Sequence, residues 1–139
     1  MKPRLFSGGL FILFLLGTLL GYYFMNSIEF GICIFNQTIT EASCINFYER
    51  IGSAFYYGMG ALALVSLILF FVPKSFRAWK KFAIWATPII ALIFATYKGS
   101  GGFDYISPDP ETFFKWVSGA YVVVSLVIIA LAAGKKEKE

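Results

Sequence analysis

The sequence predicts an all-α integral membrane protein, a bundle of four transmembrane helices with both termini in the cytoplasm. Three observations predict this class. Hydrophobic residues make up 58% of the 139-residue chain and charged residues only 14%, against about 25% charged in soluble domains. Four long stretches are free of Asp, Glu, Lys and Arg. Lysine and arginine are concentrated in every second segment outside those stretches. Cytoplasmic loops of membrane proteins carry such an excess of lysine and arginine.

The predicted spans, in chain order, are residues 5–26, 51–73, 82–97 and 113–134. A bilayer crossing needs about 20 apolar residues, with a range of about 17–25. The third charge-free run has 16 residues, which cover about 24 Å of a hydrocarbon core about 30 Å thick. We therefore expect Lys81 and Lys98, which flank this run, to extend outward to the headgroups.

The first span begins after a basic segment, Met1–Arg4, of the kind that also opens a secretory signal peptide. Its apolar run is longer than the usual 7–15 or so residues, and no small-residue cleavage site follows, so we expect a retained anchor helix. Gly17 and Gly21 have the G-x-x-x-G spacing, which places both on one face and lets another helix approach closely. Packing inside the bundle explains this pair as well as docking of a partner does.

The predicted outer loop at residues 27–50 contains the only two cysteines, Cys33 and Cys44. Because this loop is predicted to face the oxidising compartment, we expect a structural disulfide that closes an extracytoplasmic loop between the first two helices. The entropic model gives such a loop about 3 kcal/mol. The β-branched segment at residues 34–40 predicts a short strand or a cap over the bundle. A quinone-coupled thiol oxidoreductase is the redox alternative, but the C-x-x-C pair typical of that class is missing.

The basic segment at residues 74–81, KSFRAWKK, is predicted to be a tight cytoplasmic loop. Anionic headgroups and an interfacial position for Trp79 explain its composition, so nucleic acid is not an expected partner. Pro88, in the third span, removes one backbone hydrogen bond and predicts a kink. The third span also has a face of small residues at steps of four, and we predict that these pack against another helix: Ala83, Thr87, Ala91 and Ala95.

The second predicted outer loop, residues 98–112, is rich in glycine and proline. It lacks the Gly-Lys-Ser/Thr ending of a phosphate-binding loop. Asp109 suits a helix N-cap, Pro110 the first helical position and Glu111 the positive helix end, so these residues predict the start of the fourth helix. The remaining side chains of the loop form a candidate partner surface: Phe103, Asp104 and Tyr105.

Basic residues set the predicted orientation, because cytoplasmic loops carry an excess of lysine and arginine. Three of these residues lie on the predicted outer side: Arg50, Lys98 and Lys115. Nine lie on the other side: Lys2, Arg4, Lys74, Arg77, Lys80, Lys81, Lys135, Lys136 and Lys138. Both termini, including the tail at residues 135–139, are therefore predicted to be cytoplasmic. We expect a plasma membrane, which in a bacterium is the inner membrane.

Missing residue types exclude several classes of function. The chain has no histidine, which excludes haem ligation by histidine and most zinc sites. The charge-free stretches hold no acid or base of the kind that ion-coupled transporters use at mid-membrane. No Ser/His/Asp or Cys/His set is present for hydrolysis. We therefore expect a protein that is not an enzyme and that uses no metal or cofactor.

The leading functional hypothesis is a small membrane protein that acts by protein–protein interaction, as an accessory or assembly subunit of a larger membrane complex. Its expected partners are the lipid bilayer and a larger membrane protein, and its small-residue faces are also compatible with a homo-oligomer. Its size and four-span outline resemble those of small immunity proteins that protect bacteria from pore-forming toxins. An immunity or exclusion protein is therefore one alternative, and a small channel or transporter for a neutral solute is another.

Overall fold

The computed structural model describes residues 3–33, 39–97 and 109–134. Within these ranges the elements are α1 (Pro3–Met25), α2 (Ile39–Phe71), a 3₁₀ turn (Pro73–Ser75), α3 (Phe76–Thr96) and α4 (Pro110–Gly134). Four helical segments are long and apolar enough to cross a membrane. The predicted all-helical class with four such helices is therefore confirmed.

Large apolar side chains cover the outside of the bundle. Leu13 on α1, Leu92 on α3 and Leu131 on α4 are each more than half exposed. A helix of a soluble bundle turns its polar residues outward, whereas these helices turn leucine outward. The outer surface therefore has the composition expected of a surface whose solvent is lipid.

Helices α1 and α2 form an antiparallel hairpin in which the two backbones touch. A Cβ atom on Gly21 would lie 2.8 Å from the carbonyl oxygen of Gly52 and would also meet the backbone nitrogen of Tyr56. A Cβ atom on Gly52 would lie 2.5 Å from the backbone nitrogen of Met25. Real Cβ atoms essentially never come this close to other atoms, so the observed helix spacing requires glycine at both positions.

The turn after α1 is joined to α2 by the predicted disulfide, which the structure confirms between Cys33 and Cys44, with Cα atoms 6.1 Å apart. The backbone N–H groups of Ile32 and Cys33 both donate to the carbonyl oxygen of Ser27, at 2.8 and 3.2 Å. Gly31, with a φ of 70°, makes the left-handed step that this turn needs. The disulfide therefore ties the end of α1 to the first turns of α2.

Helix α4 lies between α2 and α3 and packs against both, while α2 and α3 have few contacts with each other. The hydroxyl of Ser75 donates to the carbonyl oxygen of Ile129 at 3.0 Å, which fixes the 3₁₀ turn to the last turns of α4. Lipid is as apolar as leucine, so shape fit and hydrogen bonds of this kind hold membrane helices together. The central core consists of Ala61, Val65, Leu69, Trp79, Tyr121 and Ile129.

Helix α2 begins at Ile39, well before the predicted start of the second span at residue 51. Residues 39–50, predicted as part of the outer loop, are therefore helical. One reason is that Tyr48 packs on Phe24 near the end of α1, with ring centroids 5.6 Å apart, so the hairpin continues past the apolar zone. Of the predicted strand at residues 34–40, only the last two residues are described, and they belong to this helix.

Helix α3 also begins earlier than predicted, at Phe76 rather than at residue 82. Most of the predicted loop at residues 74–81 is therefore helix. Trp79, predicted to lie at the membrane interface, is only 4% exposed, and its Nε1–H donates to Ser125 Oγ at 3.3 Å. Trp79 therefore packs inside the bundle, where a hydroxyl of α4 satisfies its indole N–H; its predicted depth at the membrane interface stays a prediction.

Candidate functional site

A cleft of about 540 Å³ separates α2 from α3, and α4 forms its floor. Small side chains on both walls leave this space open, namely Ala54 and Gly58 on α2 and Ala91 and Ala95 on α3. Larger apolar residues extend the walls at either end, including Phe47, Phe55, Leu62 and Ile90. The cleft is therefore an apolar space between helices, which is where helical bundles commonly hold ligands.

The ring of Phe94 keeps the two walls of the cleft apart. A Cβ atom on Gly58 would lie 3.2 Å from this ring, so Phe94 reaches across to α2 at a position without a side chain. The same ring packs on the fully buried ring of Phe114 on α4, with centroids 4.5 Å apart. Because Phe94 contacts both neighbours, α3 is held at a ring's width from α2.

Four polar residues line this otherwise apolar space. Thr87 Oγ1 and the hydroxyl of Tyr121 lie 3.4 Å apart on α3 and α4. Ser118, on the floor, is 6% exposed, and its Oγ has no hydrogen-bond partner among the described residues. At the end of the cleft near the start of α2, Arg50 Nη2 donates to the carbonyl oxygen of Ala95 at 3.1 Å.

The predicted packing residues of the third span lie in two environments. Ala83 packs against the central core, whereas Thr87, Ala91 and Ala95 line the cleft. The small-residue face of α3 therefore lines the cleft along most of its length, instead of packing against another helix of the described residues.

The predicted packing residues of the first span lie at the α1–α2 contact. A Cβ atom on Gly17 would lie 2.9 Å from Met59 Cγ, and Gly21 faces the backbone of Gly52. The candidate partner surface, Phe103, Asp104 and Tyr105, lies outside the described residues.

Sequence reasoning missed the two polar residues that distinguish the cleft. Ser118 reads as one more small residue of a membrane helix, and Arg50 reads as an outer-loop charge. The available indication was the spacing on α2, where Arg50 is followed by Ala54, Gly58 and Ala61 at steps of three and four. This spacing places a charge directly above a face of small residues.

The outward face of α3 carries a second unusual feature, an exposed indole near the middle of the helix. Trp85 is 75% exposed, and its N–H has no partner among the residues that the structure describes. Trp116, also 75% exposed, lies instead in the second turn of α4, close to a helix end. A shallow groove runs along the α3 face and is lined by Ile84, Trp85, Pro88, Ile89 and Leu92.

Within the described ranges, no group of three or more His, Cys, Asp or Glu side chains is placed to hold a metal ion. The hydroxyl of Tyr57 donates to Glu111 Oε1 at 2.8 Å, which joins the first turn of α4 to α2.

Comparison of the chain with protein-family models, with curated proteins and with solved structures finds no match.

Proposed function

We propose that this chain is a non-catalytic integral membrane protein that acts by protein–protein interaction, as an accessory or assembly subunit of a larger membrane complex. The observation that carries the proposal is the exposed indole of Trp85, near the centre of a helix that runs from Phe76 to Thr96. Tryptophan in membrane proteins is enriched at the two interfaces, where its N–H finds an acceptor. Trp85 lies four residues after Lys81 and lines the groove of α3, so a partner helix packed along this groove would cover its ring and supply an acceptor for its N–H.

The same face has a backbone acceptor beside this donor. Pro88 has no N–H, so the carbonyl oxygen of Ile84, four residues earlier, has no helical hydrogen bond from that position. A serine, threonine, asparagine or glutamine on a partner helix could accept from the indole and donate to this carbonyl. Side chains of this kind form hydrogen bonds between membrane helices. The proposed partner surface is therefore a transmembrane helix with a hydroxyl or amide side chain, packed along the groove of α3.

The test is purification from native membranes in a mild detergent, through a tag on the tail at residues 135–139, followed by mass spectrometry. Trp85→Ala is the test variant. Trp116→Ala is its matched control, because both indoles are 75% exposed and Trp116, on α4, does not line the groove of α3. An anchoring tryptophan of an interface contributes about 2 kcal/mol or more, so we expect recovery of the partner to fall at least tenfold with Trp85→Ala and to persist with Trp116→Ala.

Two results would count against the accessory-subunit proposal. The wild-type chain could be purified alone, or a partner could be retained equally by Trp85→Ala and Trp116→Ala. Purification without a partner would favour the immunity or the solute-transport alternative. Toxin challenge of cells with and without the gene would then separate those two.

We also propose that both termini face the cytoplasm of a plasma membrane, which in a bacterium is the inner membrane. The support is the asymmetry of basic residues, nine on the side of the termini and three on the other. Reporter fusions at the tail and within residues 98–108 test this orientation. A reporter that is active only in the cytoplasm should work at the tail and fail in the loop, and the reverse pattern would invert the proposed topology.

A further inference from the structure

We propose that the cleft between α2 and α3 binds the acyl chain of an anionic amphiphile. The chain would lie between the apolar walls, the anionic head at Arg50, and an oxygen of the head region at Ser118. This inference does not depend on the accessory-subunit proposal, because it uses a different face of α3 and needs no partner protein.

The dimensions of the cleft favour a single hydrocarbon chain. Along α2 the cleft extends from Phe47 to Leu62, which corresponds to about 22 Å at about 1.5 Å per residue. A volume of about 540 Å³ over that length accommodates one chain of methylene groups in contact with both walls.

The walls also allow entry from the bilayer. Ala91 and Ala95 line the cleft and are themselves exposed, so the side between α2 and α3 opens toward lipid. A molecule already dissolved in the membrane can enter there without crossing water. The expected ligand is therefore a membrane amphiphile rather than a water-soluble solute.

The unpartnered hydroxyl of Ser118 indicates a ligand oxygen deep in the cleft. Hydroxyls in membrane helices usually donate to the carbonyl oxygen four residues earlier, as Thr18 and Thr96 do here at 2.8 Å. Ser118 Oγ makes no such bond and is buried. Ser66 Oγ is also buried without a partner among the described residues, but Ser66 does not line the cleft. Rotation of Ser118 about χ1 would turn its buried hydroxyl toward the cleft, where a carboxyl, ester or phosphate oxygen would satisfy it.

Arg50 supplies the charge complementarity. Its guanidinium has five N–H donors, and one of them is used by the carbonyl oxygen of Ala95. No carboxylate of the described residues pairs with it. Hydrogen bonds from a guanidinium to a carboxylate or phosphate are short and strong. An anionic head at the end of the cleft would therefore occupy the free donors, while its chain extends past Ser118 toward Leu62.

The experiment is photo-crosslinking of the purified full-length protein in vesicles of phosphatidylcholine. Three diazirine probes are compared: a C16 fatty acid, a phosphatidylglycerol with the same acyl chain, and a neutral C16 alcohol. Mass spectrometry maps the labelled residues. We expect saturable labelling of the α2 and α3 walls by at least one anionic probe, competed by its unlabelled form and at least tenfold weaker with the alcohol. The fatty acid and phospholipid arms show whether the anionic head belongs to a free fatty acid or to a bilayer lipid.

Variants test the named residues. Arg50→Gln should weaken cleft labelling at least tenfold, because charge-assisted hydrogen bonds are lost, while Arg50→Lys should retain the anionic preference. Ser118→Ala should weaken cleft labelling about fivefold. Ala91→Leu should narrow the cleft and abolish its labelling. Ala120→Leu adds the same volume at an exposed position of α4 outside the cleft, so it should leave cleft labelling unchanged.

Several results would overturn the proposal. Labelling could be spread over lipid-facing residues without saturation, or the alcohol could label as well as the anionic probes. Arg50→Gln could label as strongly as the wild type. The cleft could also be unlabelled while the protein forms a dimer, which would make a second copy its occupant. The saturation and competition measurements use the wild-type chain, so they decide the outcome even if a variant fails to fold.

Discussion

Replacing Gly21 by alanine should separate helices α1 and α2. An added Cβ would lie 2.8 Å from the carbonyl oxygen of Gly52, and would also meet the backbone nitrogen of Tyr56, whereas ordinary contact begins at 3.4 Å. Both opposing atoms belong to the backbone of α2, so no side-chain rotation can relieve the overlap. Helix α1 must therefore move outward by at least about 0.6 Å, the difference between these two distances.

The expected cost follows from two opposing effects. Overpacking of this kind costs about 1–3 kcal/mol, and a gap of about 0.5–1 Å along the rest of the interface loses a quarter to a half of its dispersion attraction. Alanine in place of glycine stabilises a helix by up to about 1 kcal/mol. We expect a net loss of about 1–2 kcal/mol in the free energy of unfolding. Gly9→Ala is the matched control, because a Cβ there has no atom within 4 Å, so only the gain in helix propensity remains.

The assay is unfolding of the purified protein by sodium dodecyl sulfate in mixed micelles, followed by far-ultraviolet circular dichroism. Gly21→Ala should unfold at lower detergent fraction than the wild type, and Gly9→Ala at the same fraction or higher. Equal stability of the two variants would refute the close backbone contact. The double variant with Gly52→Ala should lose less than the two single losses combined, because one displacement of α1 relieves both overlaps.

Two further predictions use the same titration. Replacing Cys33 and Cys44 by serine should lower the free energy of unfolding by about 3 kcal/mol in the entropic model, and a reductant should do the same to the wild type; no change in either case would contradict this. Ser75→Ala should cost about 1 kcal/mol, because the carbonyl oxygen of Ile129 loses its donor from the 3₁₀ turn. Ser7→Ala is its control, since Ser7 Oγ donates only within its own helix and should cost less; equal losses would argue against the contact with α4.

The helix number and the disulfide could be predicted because each depends on a short-range or compositional fact. The thickness of a bilayer sets the length of a spanning helix, so a charge-free run is informative without any tertiary contact. The chain has only two cysteines, so Cys33 has a single intramolecular partner in Cys44. Neither prediction required knowledge of which helices are neighbours.

The helix ends and the cleft could not be predicted in this way, because they depend on contacts between helices. The sequence around Trp79 is basic and reads as a loop, yet Ser125 on α4 accepts the indole hydrogen bond and holds the segment as helix. Tyr48 and its contact with Phe24 likewise extend α2 beyond the apolar run. Ala91 would look the same in sequence whether it packed against a helix or lined a cleft.

Small residues have opposite consequences at the two sides of α2, and the residue across from them decides which. Gly52 faces Gly21, so nothing separates the backbones and the helices close on each other. Gly58 faces the ring of Phe94, which is itself held by Phe114, so α3 remains at a distance and the small side chains leave a space. The contact of Gly21 with Gly52 leaves no space for a ligand between α1 and α2. The contact of Gly58 with Phe94 leaves a buried hydroxyl and a guanidinium at an apolar cleft, and this is why the lipid-binding proposal belongs to the α3 side of the bundle.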